Sequence, residues 1–226
     1  MPNIPHTKYA VIIPAYNEEH ALGDVLRSLK VIVPIPPRFI LVVNDGSSDR
    51  TKEIARANGA LVVNHLVNCG YGAAIKTGFD WCLQNANDVD FIVTLDADGQ
   101  HLAEDVSAVL KSDADYVIGR RVFADGSPFF KSLANRLADV LVFMLGGVFV
   151  HDTFSGLRKI RYSKLQLFKL QLQDYSACAE LVLQAVKGKL QIAYAEVPAR
   201  YSVYSLGKVK RLRYSNVFAM VKKLMV

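Results

Sequence analysis

Asp96 and Asp98 are separated by one residue and follow directly on the apolar run 91–95, Phe-Ile-Val-Thr-Leu. That order puts two carboxylates at the carboxyl end of a buried strand, where an open α/β sheet takes its ligands. Paired hard oxygen donors suit a divalent cation shared with phosphate oxygens, magnesium or manganese by ligand type. Where a bond to a diphosphate breaks, such a cation acts as a Lewis acid on the leaving group. Two acids so spaced are common by chance, and the strand before them is what gives them weight.

Two more polar clusters close apolar runs. Pro14, Ala15, Tyr16, Asn17 and Glu18 follow residues 9–13, and Asn44, Asp45, Gly46, Ser47, Ser48 and Asp49 follow residues 39–43. A tyrosine face stacks on a base, a carboxylate such as Asp45 accepts from a base N–H, and Glu18 accepts from ribose hydroxyls. Taken alone, residues 45–48 read equally as a turn that caps a helix. Three such clusters at strand ends favour a nucleotide crevice.

The elements that must hold these residues alternate. Strands are predicted over 9–13, 39–43, 60–64, 91–95 and 116–118, and helices over 18–29, 48–57 with Ser47 or Ser48 as N-cap, 72–85 and 103–110. The pattern is that of parallel strands joined by crossover helices. Residues 34–37 read as a rigid proline loop and 125–128 as a turn. A helical run also begins around Glu180.

The 226 residues, 51% of them apolar, suit a single domain with a substantial core and argue against disorder. Charge is uneven: residues 1–113 hold 9 basic and 14 acidic side chains, and residues 114–226 hold 18 and 7. An acidic first half with a metal motif suits a cation bridging to a diphosphate, and a basic second half suits an anionic acceptor, an anionic membrane or nucleic acid. Cys69, Cys82 and Cys178 form no CxxC pair, which predicts neither a disulfide framework nor a structural zinc, with a reducing cytosol as the default compartment. The opening nine residues are polar and carry no signal-peptide pattern. The run 140–150 falls short of the roughly 20 apolar residues a spanning helix needs, so the expectation is a soluble or peripheral protein.

Four motifs in order, residues 11–18, 43–49, 95–101 and 152–158, resemble family 2 glycosyltransferases of the GT-A fold, in particular the dolichyl-phosphate mannose synthases and related polyprenyl-phosphate glycosyltransferases. The resemblance covers nearly the whole chain. It implies a Rossmann-like, mostly parallel sheet with helices on both faces. Residues 1–120 would form a nucleotide-sugar half and 121–226 an acceptor half, ending in amphipathic helices. The implied reaction moves a hexose from a nucleotide diphosphate sugar to a polyprenyl phosphate with inversion, mannose from GDP-mannose ahead of UDP-glucose or UDP-N-acetylglucosamine.

On the same resemblance Pro14, Tyr16, Glu18 and Asp45, with Asp96, match positions that hold the nucleotide. Asp96, Asp98 and Gln100 match its metal and diphosphate site, and Arg121 matches an arginine near the transferring group and the acceptor phosphate. Asp98, Arg121 and Glu180 are thus the expected catalytic residues. Glu180 orients the acceptor, serves as base for a saccharide hydroxyl, or is simply a first-turn carboxylate.

A phosphate monoester is already ionised near neutral pH, so the acceptor requires cations rather than a strong base. Arg121, Arg136, Arg158, Arg200, Lys208 and Lys210 are the candidates, with Ser155 as a hydrogen-bond donor. Residues 129–150 and 211–226 are apolar with basic interruptions, and read either as core helices or as membrane-interface helices that would make the protein peripheral at the cytoplasmic membrane face. Two departures from the family pattern stand out: Asn44 replaces an acid, and residues 204–210 lack the usual arginine and Gly-x-Ser-Lys arrangement. A nucleotidyltransferase reading lacks the glycine-rich loop after the first strand. No nucleic-acid motif accompanies the basic half.

Overall fold

The computed structural model describes residues 7–31, 35–122 and 129–200. Among these residues seven strands form one sheet: β1 (Tyr9–Ala15), β2 (Ile40–Asp45), β3 (Leu61–His65), β4 (Phe91–Thr94), β5 (Tyr116–Val122), β6 (Arg158–Arg161) and β7 (Ile192–Pro198), in the order β3-β2-β1-β4-β6-β5-β7. All run parallel except β6, which is antiparallel to both β4 and β5. The chain leaves β1 on one side for β2 and β3 and returns on the other for β4. A crevice therefore opens beyond the carboxyl ends of β1 and β4, at the point where strand order reverses.

Among the described residues six α-helices cover the sheet: α1 (Leu22–Val31), α2 (Thr51–Ala57), α3 (Tyr71–Asn85), α4 (Ala103–Leu110), α5 (Phe129–Gly146) and α6 (Ala177–Lys187). Alternate strand residues feed two cores. Val11, Ile13, Val42 and Val93 meet α1, α2 and α4 on one face. Ile12, Leu41, Val43 and Ile92 meet α3, α5 and α6 on the other. Central strands buried on both faces explain the continuous apolar runs in the sequence.

Two predicted helix starts move, for one reason. Asn17 sits at φ 53°, and the Glu18 carbonyl takes the N–H groups of Ala21 and Leu22 in a turn, so α1 begins at Leu22. The serines expected to cap the next helix are used elsewhere: Ser47 Oγ accepts the N–H of Asn17 at 3.0 Å, and Ser48 N–H donates to Asn17 Oδ1 at 2.9 Å. Asp49 Oδ1 takes the Thr51 N–H at 3.0 Å instead, and α2 starts at Thr51. Interlocked loops after β1 and β2 replace a simple cap.

The five predicted strands and four predicted helices are all present, while β6 and β7 were not anticipated. Lys208, Lys210, the turn at 125–128 and the helix expected over 211–226 lie outside the described residues.

Candidate active site

Asp96 and Asp98 leave the carboxyl end of β4 side by side, both partly covered. Burial pushes the Asp96 carboxyl up to about 6, with the charge of Asp98 adding to the rise, while His101, Arg121 and Arg158 pull the other way. The cover comes from Gly156: a Cβ there would stand 2.1 Å from the Asp96 carboxylate. Thr94 Oγ1 holds that glycine in place by donating to its carbonyl at 2.9 Å. The sequence motif ending in Arg158 therefore forms the floor under the first acid. Asp98 accepts from the Gln100 N–H at 3.0 Å and from Gln100 Nε2 at 2.7 Å. Gln100, expected as a metal ligand, thus has its amide turned to Asp98 and braces it. His101 is buried, 3.8 Å from Asp105.

Along β1 and β2, Tyr16 is 44% exposed at the crevice, whereas Glu18 is buried with its N–H on Thr51 Oγ1 at 2.8 Å. Asp45 departs from expectation. Register places it beside His65, both on the α3 face, and its Oδ1 lies 2.7 Å from His65 Nδ1. The same carboxylate accepts the N–H groups of Cys69 and Gly70, each at 2.8 Å. His65 Nε2 reaches Thr77 in α3 at 2.9 Å. Asp45 therefore shapes the loop after β3 rather than presenting a free acceptor to a base. Gly46, at φ +68°, lies under that loop, where a Cβ would meet the Val67 carbonyl carbon at 2.4 Å. The donor atoms of Asp45, His65 and Cys69 fall within 4.8 Å of one another, but the carboxylate is already engaged by these N–H groups. A cavity of about 390 Å³ lined by His65, Cys69, Lys76 and Thr77 adjoins this brace and contains none of the β4 acids.

On the β5 side, Arg121 is gripped by Asp152: Nε and Nη2 donate to its two oxygens at 2.9 and 2.6 Å, and the Arg121 N–H adds a third bond at 2.8 Å. Bidentate pairing fixes the plane of the guanidinium. The loop carrying Asp152 is held in turn from α5. Asp139 accepts the N–H groups of Asp152 and Thr153 at 3.3 and 2.9 Å, and Asn135 Oδ1 accepts that of Phe154 at 3.1 Å. Asp139 interrupts the apolar segment 129–150 in the sequence, and in the fold it is a buried anchor one helical turn from Asn135. Asp152 carried no predicted role, although it opens the fourth motif.

Four other expected residues have duties of their own. Ser155 is fully buried and its hydroxyl donates to the Gly119 carbonyl at 2.7 Å, so it ties the motif to β5 instead of facing an acceptor. Arg158 is fully buried and donates Nη2 to the Thr153 carbonyl at 2.6 Å. Arg200 pairs with Asp105 at 2.5 Å, and Arg136 is exposed on α5. Glu180 accepts the N–H groups of Gln171 and Leu172, both at 2.9 Å, and Gln184 Nε2 at 3.1 Å. That set of donors makes it a loop anchor and leaves it poorly placed to act as a base.

The loop so anchored delivers a residue that sequence reasoning missed. Tyr175 stacks on Tyr71, ring centroids 4.7 Å apart at 10°. Its phenol is held above the ordinary range, by burial first and then by the charges of Asp96, Cys178, Asp98 and Glu18, and so stays protonated. No local signal marks it, because its position depends on a contact between α3 and the segment before α6.

Residues 10–185 match the family described as Glycosyl transferase family 2. The chain is 31% identical over 225 residues to the UDP-N-acetylglucosamine–dolichyl-phosphate N-acetylglucosaminyltransferase of Methanococcus voltae, with 88% of each chain covered. It is 32% identical over 229 residues to the polyprenol monophosphomannose synthase of Mycolicibacterium smegmatis, covering 94% of this chain and 84% of that one. The glucosyl-3-phosphoglycerate synthase of Mycobacterium tuberculosis, solved with Mn2+, UDP and phosphoglyceric acid, superposes with a TM-score of 0.68 at 20% identity, over 97% of this chain and 78% of that one. At that identity the likeness concerns the fold. The chain therefore belongs to glycosyl transferase family 2 and is a glycosyltransferase with a GT-A-like fold.

Proposed function

We propose that the protein transfers a hexose from a nucleotide diphosphate sugar to a polyprenyl phosphate, with inversion at the anomeric carbon. The carrying observation is the crowded pair Asp96 and Asp98 at the switch-point crevice, with the positive charge of the Asp152-bound Arg121 acting on Asp96. The names of the two relatives support the acceptor class. Tyr16 offers a face to the base at the end of β1, with Pro14 and Glu18 beside it on the ribose side. Asp45 acts indirectly, by shaping the loop on which the nucleoside rests.

Two crowded, oxygen-only carboxylates fit a magnesium or manganese ion, whose positive charge would stabilise the diphosphate as it leaves. The remaining work belongs to the chain. Arg121, oriented by Asp152, supplies fixed positive charge for the acceptor phosphate. An acceptor already ionised at neutral pH needs no proton removed, which suits a Glu180 wholly occupied with its loop. Gln100 keeps Asp98 in a single orientation.

The finer donor assignment is mannose from GDP-mannose. Contact with the cytoplasmic face of a membrane is proposed through the outer face of α5 and the residues after it, where Leu137, Val140, Phe143, Met144, Val148 and Phe149 are exposed. No helix among the described residues is long and apolar enough to cross a membrane. The decisive assay incubates the protein with manganese or magnesium and radiolabelled GDP- and UDP-sugars, with and without polyprenyl phosphate. Label should enter the organic phase only with the lipid and should be greatest from GDP-mannose. Label appearing instead on a saccharide acceptor would overturn the assignment.

A further inference from the structure

Asp152, the partner of Arg121, is held in a backbone conformation that its own residue type does not favour. Its φ of 59° lies in the left-handed region that side-chain-bearing residues seldom adopt, and such a conformation persists only where neighbouring contacts enforce it. The enforcement comes from α5. Asp139 Oδ2 accepts the Asp152 N–H at 3.3 Å, Asp139 Oδ1 accepts that of Thr153 at 2.9 Å, and Asn135 Oδ1 accepts that of Phe154 at 3.1 Å. Three successive backbone donors thus meet two side chains one helical turn apart, on a helix whose Ala138 and Val142 are seated in the core. Within the loop, the Ser155 N–H closes on the Asp152 carbonyl at 3.0 Å. Burial holds the Asp139 carboxyl above the ordinary range, against the pull of its hydrogen bonds to Thr153 and Asp152. An apolar residue would fill this position without that desolvation if packing were its only duty.

The other end of the same residue holds Arg121. Asp152 Oδ2 accepts the Arg121 N–H and Nε at 2.8 and 2.9 Å, and Oδ1 accepts Nη2 at 2.6 Å. Both carboxylate oxygens therefore stand where the Asp152 backbone puts them, and that backbone is set from α5. We infer that Asn135 and Asp139 are positioning residues for the transfer reaction: through Asp152 they fix the Arg121 guanidinium for the acceptor phosphate, and neither touches substrate. This rests on the glycosyl-transfer reading above, in which Arg121 meets that phosphate. The two anchors are not interchangeable. Asp139 presents an oxygen to each of two N–H groups, so an amide there would turn its NH2 toward one of them, whereas Asn135 uses one oxygen alone. Displacing the guanidinium moves a fixed positive charge away from the acceptor phosphate and leaves the donor's contacts in place, so the loss falls on the acceptor.

The test is steady-state transfer to polyprenyl phosphate, with manganese and the sugar nucleotide that wild type prefers, for wild type, D139N, N135A, D152N and the double variant D139N/D152N. The acceptor KM should rise about tenfold in D139N and about threefold in N135A, while the donor KM stays within about twofold in both. If Asp139 acts through Asp152, the double variant should show about the tenfold rise of either single change, not their product of about a hundredfold. Should D139N fail to fold, N135A carries the comparison. Multiplying effects in the double variant, donor and acceptor KM rising together, or an unchanged acceptor KM in folded variants would overturn the inference. Loss of fold in both D139N and N135A would mark a purely structural anchor and overturn it as well. Wild type that binds the sugar nucleotide but transfers nothing to polyprenyl phosphate would overturn it together with the reading beneath it.

Discussion

At the scale of single residues, the site depends on contacts that leave no room for a side chain or a lost charge. Gly156→Ala places a methyl where the Asp96 carboxylate lies. The acid must swing away, so turnover should fall by about 100-fold or more while far-ultraviolet circular dichroism stays native. Asp152→Asn removes the anionic partner of Arg121 but keeps the shape. The expected result is a rise in KM for the lipid phosphate of about tenfold with donor KM little changed, as initial rates would show. The sequence exposes Asp96 and Asp98 because the pair follows an apolar strand. It does not expose the Arg121–Asp152 grip, whose halves lie 31 residues apart, nor the shielding of Asp45, which depends on register between β2 and β3.

At the scale of elements, β6 is the instructive case. Three of its four residues are Arg158, Lys159 and Arg161, a composition that reads as solvated surface, yet Arg158 and Lys159 are both fully buried. Lys159 donates to the Ser112 carbonyl and lies 3.8 Å from the Phe91 ring centroid. Burial, helped by Arg161, brings its amine down to about 8 from an ordinary value of 10.5. Between those values the unfolded chain binds more protons than the folded one, so this group makes the protein more stable as pH rises from about 8 to about 10.5. Lys159→Met should therefore melt higher than wild type at pH 7, and its advantage should shrink toward pH 10. A difference constant across that range would contradict the assignment. The central strands and α1 to α4 were legible because their apolar periods match sheet and helix. The edge strand β7 was not, because most of its residues are only half-buried and give no clear alternation.

At the scale of the whole molecule, the acidic half supplies β1 to β4 and the proposed cation site, and the basic half supplies β5 to β7 and the exposed apolar surface of α5. That division was visible in the sequence as a charge asymmetry, whereas which face of α5 points outward was not. Met144, 74% exposed, lies on that outer face. Met144→Asp should reduce sedimentation with anionic vesicles severalfold without altering the melting temperature by more than about 2 °C. Wild-type binding should weaken as salt rises. Vesicle binding unchanged by the substitution would remove α5 from the membrane contact.

The claim on which the account rests is that Asp96 and Asp98 serve sugar transfer through a divalent cation. Its most direct test is the initial rate of label transfer to polyprenyl phosphate against manganese concentration, for wild type and Asp98→Ala. The prediction is a wild-type rate that saturates with manganese, vanishes in chelator and returns on re-addition, and a variant whose rate is lower by about 100-fold or more at every concentration with its fold retained. Full wild-type turnover in chelator, or a variant as fast as wild type, would contradict it.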